Sequence, residues 1–460
     1  MLFSCANRIT GKPPATSLVI DAIQNKATSS QSLVVPPPSR DPRIDVIVAA
    51  VSPTRLEADI RTLAGFGTRH TLSDTLSNTR GIGAARRWIK AEFDRIDRAS
   101  GNQLEVFYHR NMVKEGTNQR ITKDVEIVNV VAVQRGSSYP DQYIIMSGDI
   151  DSRASDPNDY SGDAPGANDN ASGMAGVLEA ARILSKYTFT SSIVYAGLSG
   201  EEQGLFGGQF LARTGREAGW EVIGVLNNDM IGTIEGIDGI IENTTFRVFS
   251  EPTPATETDQ ERRRRRSTGG EVDGPSRQLA RYVDRITDLY IPNLDAIMIY
   301  RLDRFGRGGH HRPFNDLGFP GVRIMETHEN YNRQHQDVRV ENGIAYGDVV
   351  EGVNFDYTAL LTAVNVATLA ALAWAPPAPT NVRIQGASRP STSISWDPVA
   401  GDNLAGYRIY WRDTTAPQWQ HNRFVGNVTE YTLKNIIIDN YLFGVASVSK
   451  EGNESVVVFP

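Results

Sequence analysis

Four short apolar runs rich in Ile and Val punctuate this chain, at residues 142–146, 192–198, 222–226 and 321–325. Each is short and mostly apolar, which predicts strands buried on both faces. Residues 125–133 predict a further strand, with 136–140 as the turn after it. Elsewhere the period changes to that of a helix. Leu56, Ile60 and Leu63 recur at helical spacing, and Ala84, Ala85, Trp88, Ile89 and Phe93 mark a second helix, so both predict outer helices packed on a sheet. Val177, Leu178, Ala181 and Leu184 predict another, started by the turn around Asn168 to Gly173. An Ala- and Leu-rich helix over 353–373 closes the unit. Strands interleaved with helices imply an α/β fold, a mixed and mostly parallel sheet flanked by helices.

A proline-rich stretch, 375–380, then introduces a tail of different character. Residues 393–396, 406–411, 441–448 and 456–459 predict strands of a small all-β sandwich. The tail resembles a fibronectin type III module, with Trp396 as its core tryptophan and Tyr441 at the position of its corner tyrosine. Tyr407, Tyr410 and Trp411 read as core and edge packing more readily than as a ligand platform. Stiff prolines predict that the module is held away from the first domain. The organisation expected is therefore a poorly ordered arm over 1–44, a main domain over 45–374, a linker over 375–380 and the module over 381–460.

Three of the four apolar runs end directly in acids: Gly148-Asp149-Ile150-Asp151-Ser152, Ser199-Gly200-Glu201-Glu202 and Asn227-Asn228-Asp229-Met230. Asn168-Asp169-Asn170 and Gln334-His335-Gln336 complete the series. Ligands of open α/β sheets bind beyond the carboxyl ends of the strands, so these acids should meet at one rim. Two carboxylates ~4 Å apart repel by about 4 kcal/mol even at an effective dielectric near 20. Divalent cations relieve that repulsion, and oxygen ligands with a few imidazoles suit them. Singly, each motif has a plainer reading: Glu-Glu pairs are common on solvated helices, and Asp169 sits in what is also a helix-starting turn.

In this order the five motifs resemble metallopeptidase family twenty-eight, which holds bacterial leucine aminopeptidases and glutaminyl cyclases, over about residues 45–374. The resemblance implies a zinc-exopeptidase fold and two divalent ions, most simply zinc. Asp169 would bridge them, Asp149 and Asp229 would complete one site, and Glu202 and His335 the other. Glu201 would be the general base and Asp151 the acid that orients the first ligand. His310, His311, Tyr331 and the Gly308-Gly309 turn would shape the substrate pocket. His328 competes with His335 but reads as a polar loop residue.

Two departures stand out. The family has His where this chain has Asp149, and Asp-His where this chain has His310-His311. An all-oxygen site would favour Mn, Mg or Ca, and could stay empty. Alternatively the two positions exchanged charge inside one pocket, which requires His310 to lie close to Asp149.

A net charge of -7 excludes nucleic acid as the expected partner. The basic run 262–266 reads as a solvated surface loop. Cys5 is the single cysteine, so no internal disulfide or thiolate metal site can form. Met1 to Cys5 resembles the end of a lipoprotein signal, which leaves a lipid anchor open, although neither a signal peptide nor a membrane span is read from the sequence. Export to the cell surface, periplasm or medium is expected from the resemblance. The activity expected is that of a metallo-aminopeptidase acting on peptides. The alternatives are a carboxypeptidase or dipeptidase, a glutaminyl cyclase, and a silent binding domain.

Overall fold

The computed structural model describes residues 34–270 and 273–460. The expectations for the segment before residue 34, including Cys5, lie outside the described residues. Helix α1 (Pro42–Ala49) begins inside the stretch expected to be an arm, because Asp41 caps it and Ile44 and Ile47 are fully buried. Helices α2 (Pro53–Ala64) and α3 (Gly81–Ala99) follow. Then come strands β1 (Leu104–Val113), β2 (Val125–Gln134) and β3 (Tyr139–Asp149), helix α4 (Gly173–Leu184), strand β4 (Ser191–Leu198) and helix α5 (Phe206–Glu217). Strands β5 (Glu221–Asn228) and β6 (Thr245–Ser250) precede helices α6 (Asp259–Thr268) and α7 (Pro275–Tyr290). Strand β7 (Asp295–Ile299), helix α8 (His311–Asp316), strand β8 (Gly321–Glu326), the hairpin of β9 (Arg339–Glu341) and β10 (Ile344–Tyr346), and helix α9 (Phe355–Trp374) complete the domain.

Among the described residues one eight-stranded sheet runs in the order β1-β2-β4-β3-β5-β8-β6-β7. Its centre, β4-β3-β5-β8, is parallel, and its edges contain antiparallel pairs. The turn at 136–140 does not make a hairpin of β2 and β3, because β4 lies between them. Strand side chains alternate between two cores. Ile144 and Met146 of β3 join Ile193 and Tyr195 of β4 against helices α4 and α9. Tyr143, Ile145, Val194 and Ala196 face Leu211 of α5 and Phe314 of α8 on the other side. Helix α9 is apolar all round and long enough to cross a membrane, but 94% of its apolar window is buried inside the fold.

The register of the parallel centre builds the rim. Gly148 lies opposite both Gly197 and Asn228, and Asp149 opposite Leu198, so β3, β4 and β5 end level with one another. A Cβ at Gly148 would stand 2.6 Å from the Gly173 backbone, so glycine lets α4 start close above the strand ends.

The basic run does not form the loop expected. It is α6, nucleated by a capping box between Thr258 and Glu261, and none of its residues is buried. The tail forms two antiparallel sheets, β11 (Arg383–Gln385), β12 (Thr392–Ser395) and β15 (Glu430–Leu433) in one, and β13 (Leu404–Asp413), β14 (His421–Gly426) and β16 (Tyr441–Ser449) in the other. Residues 456–459 make no continuous strand, and Val458 pairs with Val445 as an isolated bridge. Trp396 is buried with its ring 5.2 Å from that of Tyr407, in the module's core. Tyr441 is half-buried against His421 and Phe443.

The module is not held at a distance. Proline limits how a linker bends but does not keep its ends apart, and here polar contacts draw the domains together. Asp273 accepts from Arg281 of α7 at 2.7 Å and from Arg412 of β13 at 2.7 and 2.8 Å, with all three side chains about 1% exposed. Tyr282 donates to the Glu454 carbonyl at 2.9 Å, and Arg285 to the Glu454 carboxylate at 3.0 Å. The linker itself is fixed, as Ser447 donates to the carbonyl of Pro377 at 2.7 Å.

Candidate metal centre

Asp169, Glu202 and His335 come from three distant stretches, yet their ligand atoms lie within 4.8 Å of one another. His335 Nε2 stands 3.0 Å from Asp169 Oδ2 and 2.9 Å from Glu202 Oε1. Burial alone would lower the His335 pKa, but Glu202 and Asp169 push it up to about 10. Two carboxylates and an imidazole are the donor types that zinc takes in catalytic sites, with a position left open to solvent or substrate. His335 is held at φ 53°, a left-handed conformation that costs a non-glycine residue about 1–3 kcal/mol and is tolerated where surroundings dictate it.

The supports of this cluster are buried. The Asp348 carboxylate accepts from the Asn168 and Asp169 amides at 2.8 and 2.7 Å, fixing the turn that presents Asp169. Burial pushes its pKa up to about 7 against the pull of those amides. Glu326, at the end of β8, accepts from the Asn168 side chain at 2.9 Å and from the Thr233 amide at 2.7 Å. Gln334 donates to Asp169 Oδ2 at 3.1 Å. The Asp169–Asn170 peptide is cis.

Asp151 has partners other than those expected. It does not orient Asp149 by a hydrogen bond; instead it accepts from the amides of Gly200, Glu201 and Glu202 at 2.7, 3.2 and 3.0 Å. It thereby sets the turn that carries the acidic pair. Glu201 lines the same cleft as the cluster, and burial followed by the charges of Glu202, Asp229 and Asp149 raises its pKa well above the ordinary range. A buried carboxylate whose proton affinity is raised in this way is a candidate proton acceptor.

The remaining two expected ligands are engaged by the protein. Asp149 Oδ1 lies 2.6 Å from His310 Nδ1, and its Oδ2 accepts from Asn170 at 2.8 Å. The closeness of His310 and Asp149 that a charge exchange required is therefore present. Burial raises the Asp149 pKa and lowers that of His310 to about 4, so both groups are driven toward their neutral forms. Asp229 Oδ2 lies 3.0 Å from the guanidinium of Arg323, which is wholly buried and also 3.3 Å from Asp303. The donor set fits one ion at Asp169, Glu202 and His335. Asp149 and Asp229 do not join that cluster and face His310, Asn170 and Arg323.

The cleft over the cluster has a volume of about 480 Å³, and Tyr331 and Gly308 line it. His310 and His311 do not. Both are fully buried, and His311 Nε2 lies 2.8 Å from the Leu302 carbonyl, behind the pocket wall. Their sequence gave no sign of that burial, since a His-rich turn reads equally as pocket or as backing. His328 sits at the surface near Asp238, at 3.1 Å. Asp348, Glu326 and Arg323 were not anticipated. Arg323, a charge inside an otherwise apolar strand, was the one visible signal.

Both domains are similar to known proteins. Residues 129–342 match the family model described as Peptidase family M28, and residues 377–459 that of the fibronectin type III domain. A probable zinc metalloprotease of Pyrenophora tritici-repentis is 41% identical over 423 residues, covering 91% of this chain and 98% of the relative. One from Leptosphaeria maculans is 42% identical over 424 residues, covering 92% and 98%. Among solved structures, the LapA aminopeptidase of Legionella pneumophila superposes with a TM-score of 0.52 at 18% identity, covering 76% of this chain and 78% of that one.

Proposed function

Because this chain belongs to peptidase family M28 and carries a C-terminal fibronectin type III domain, we propose that it is an exported zinc-dependent aminopeptidase holding one catalytic ion. What supports the reading is the convergence of Asp169, Glu202 and His335 beside Glu201 in a single cleft. Zinc held by those three side chains supplies a Lewis acid that polarises the scissile carbonyl and acidifies the attacking water.

The protein's own groups do the rest. Asp151 fixes the Gly200 to Glu202 amides, so that Glu201 and Glu202 project from one rigid turn. Glu201 takes the proton of the attacking water and returns it to the leaving amine. Tyr331 at the rim is placed to pack on the bound peptide. Peptides are the substrate class.

The test is zinc analysis of purified protein together with hydrolysis of a leucine chromogenic amide. The expected result is one zinc per chain and turnover, with Glu201→Gln keeping its zinc while kcat falls about a hundred- to ten-thousandfold. Absence of metal and of turnover would sink the reading in favour of a silent binding domain. The one-ion donor set also favours a second reading, a glutaminyl cyclase, which release of ammonia from peptides with N-terminal Gln would reveal.

A further inference from the structure

The wall of the metal cleft carries five arginines, Arg120, Arg153, Arg304, Arg307 and Arg312. Arg120 donates to the Glu202 backbone carbonyl, which ties it to the ligand turn. Among the described residues neither Arg120 nor Arg312 has a carboxylate within 4 Å, and both are exposed. Arg153 lies 3.9 Å from Glu202, a residue committed to the metal. Arg304 and Arg307 lean on the same Glu329, at 3.3 and 3.2 Å, and Arg247 claims that carboxylate too at 3.1 Å.

Around the cleft, Asp169 and Glu202 face His335, Asp229 and Asp303 face Arg323, and Glu329 faces Arg247, Arg304 and Arg307. Among the described residues, Arg120 and Arg312 are the lining arginines at the mouth that no protein acid meets.

Resting on the exopeptidase reading, we infer that this cleft selects peptides carrying a carboxylate within a residue or two of the scissile bond. A volume of about 480 Å³ falls within the range of sites that enclose small ligands, so such a group reaches the arginines while the peptide bond lies at the cluster. Guanidinium pairs carboxylate through two parallel hydrogen bonds, each favoured by charge. The carboxylate has two sources, an acidic side chain or the free C-terminus of a short peptide.

The experiment is calorimetric binding to zinc-loaded Glu201→Gln, which retains peptides without cleaving them. Tripeptide amides with Glu or Gln at the first or second residue form one arm, and trialanine with a free or amidated C-terminus forms the other. In at least one arm the carboxylate should bind ~10- to 100-fold tighter than its neutral partner. That ratio should fall toward one in Arg120→Gln/Arg312→Gln and at high salt. Preference in the first arm identifies an acidic residue, and in the second a terminal carboxylate. Equal binding within every pair overturns the inference but leaves the exopeptidase reading standing, whereas no binding by any peptide overturns both.

Discussion

Replacing Asp273 with Asn removes one negative charge from between two buried guanidinium groups while keeping its size. Asp273, Arg281 and Arg412 are each about 1% exposed, so water cannot substitute for the lost charge without opening the interface. Four contacts converge on the carboxylate: one from Arg281, two from Arg412 and one from Gln278 at 3.0 Å. Removing one partner of a buried ion pair costs about 3–5 kcal/mol, most of it the stranded opposite charge. Asn keeps one acceptor oxygen and therefore some of these bonds, which sets the expected loss at about 3 kcal/mol. Urea unfolding followed by tryptophan fluorescence reads the effect, because Trp419 lies beside both arginines, at 5.9 and 5.4 Å. Arg412→Met in the Asp273→Asn background should recover much of the loss, giving a coupling of about 2 kcal/mol or more in the double-mutant cycle. A single-variant loss under about 1 kcal/mol, with no coupling, would refute the claim that this charge fastens the module.

Three further outcomes follow from the same structure. His335, pushed up to about 10 in the metal-free chain by Glu202 and Asp169, must lose a proton to bind zinc, so apparent affinity should rise about tenfold per pH unit between pH 6 and 8, and a flat titration would contradict this. Asp348→Ala frees the Asn168 and Asp169 amides and should weaken zinc binding about 10- to 100-fold in a competition titration with a chelator, with the sheet's circular dichroism intact. Burial pushes Asp284 up to about 6 from an ordinary value of about 3.9, so its protonated form favours the fold. That stability is fully present below about pH 4 and is lost as pH rises through 6. Asp284→Asn, which can still accept from Gln418, should gain about 2 kcal/mol at pH 8 and almost nothing at pH 4 in urea titrations.

The parallel centre of the sheet was legible because its strands are mostly apolar runs, three of which lead directly to acids, and that change marked the rim. The run 142–146 lengthens in the structure to Tyr139–Asp149, and 192–198 to Ser191–Leu198. The antiparallel edges were harder, since β1 alternates buried and exposed positions and carries His109 and Arg110 among its apolar residues. At the site, Asp169, Glu202 and His335 were readable from local motifs. Their supports were not: Asp348 acts on residues 179 and 180 positions earlier, and nothing near it in the chain announces the pairing. His310 and Asp149 were linked in advance because both depart from one pattern, while His311 misled because burial behind Leu302 leaves no mark on its neighbours.

The fastening of the module along α7 and the linker removes the hinge between them. If its outer face adheres to a fibre, wall or matrix, the orientation of the enzyme on that support is decided by folding rather than by tether length. The direction in which the metal cleft faces that support is then a property of the folded chain. Inserting flexible residues at 375–380 should release only the linker's share of that rigidity, because the α7 contacts to the module remain.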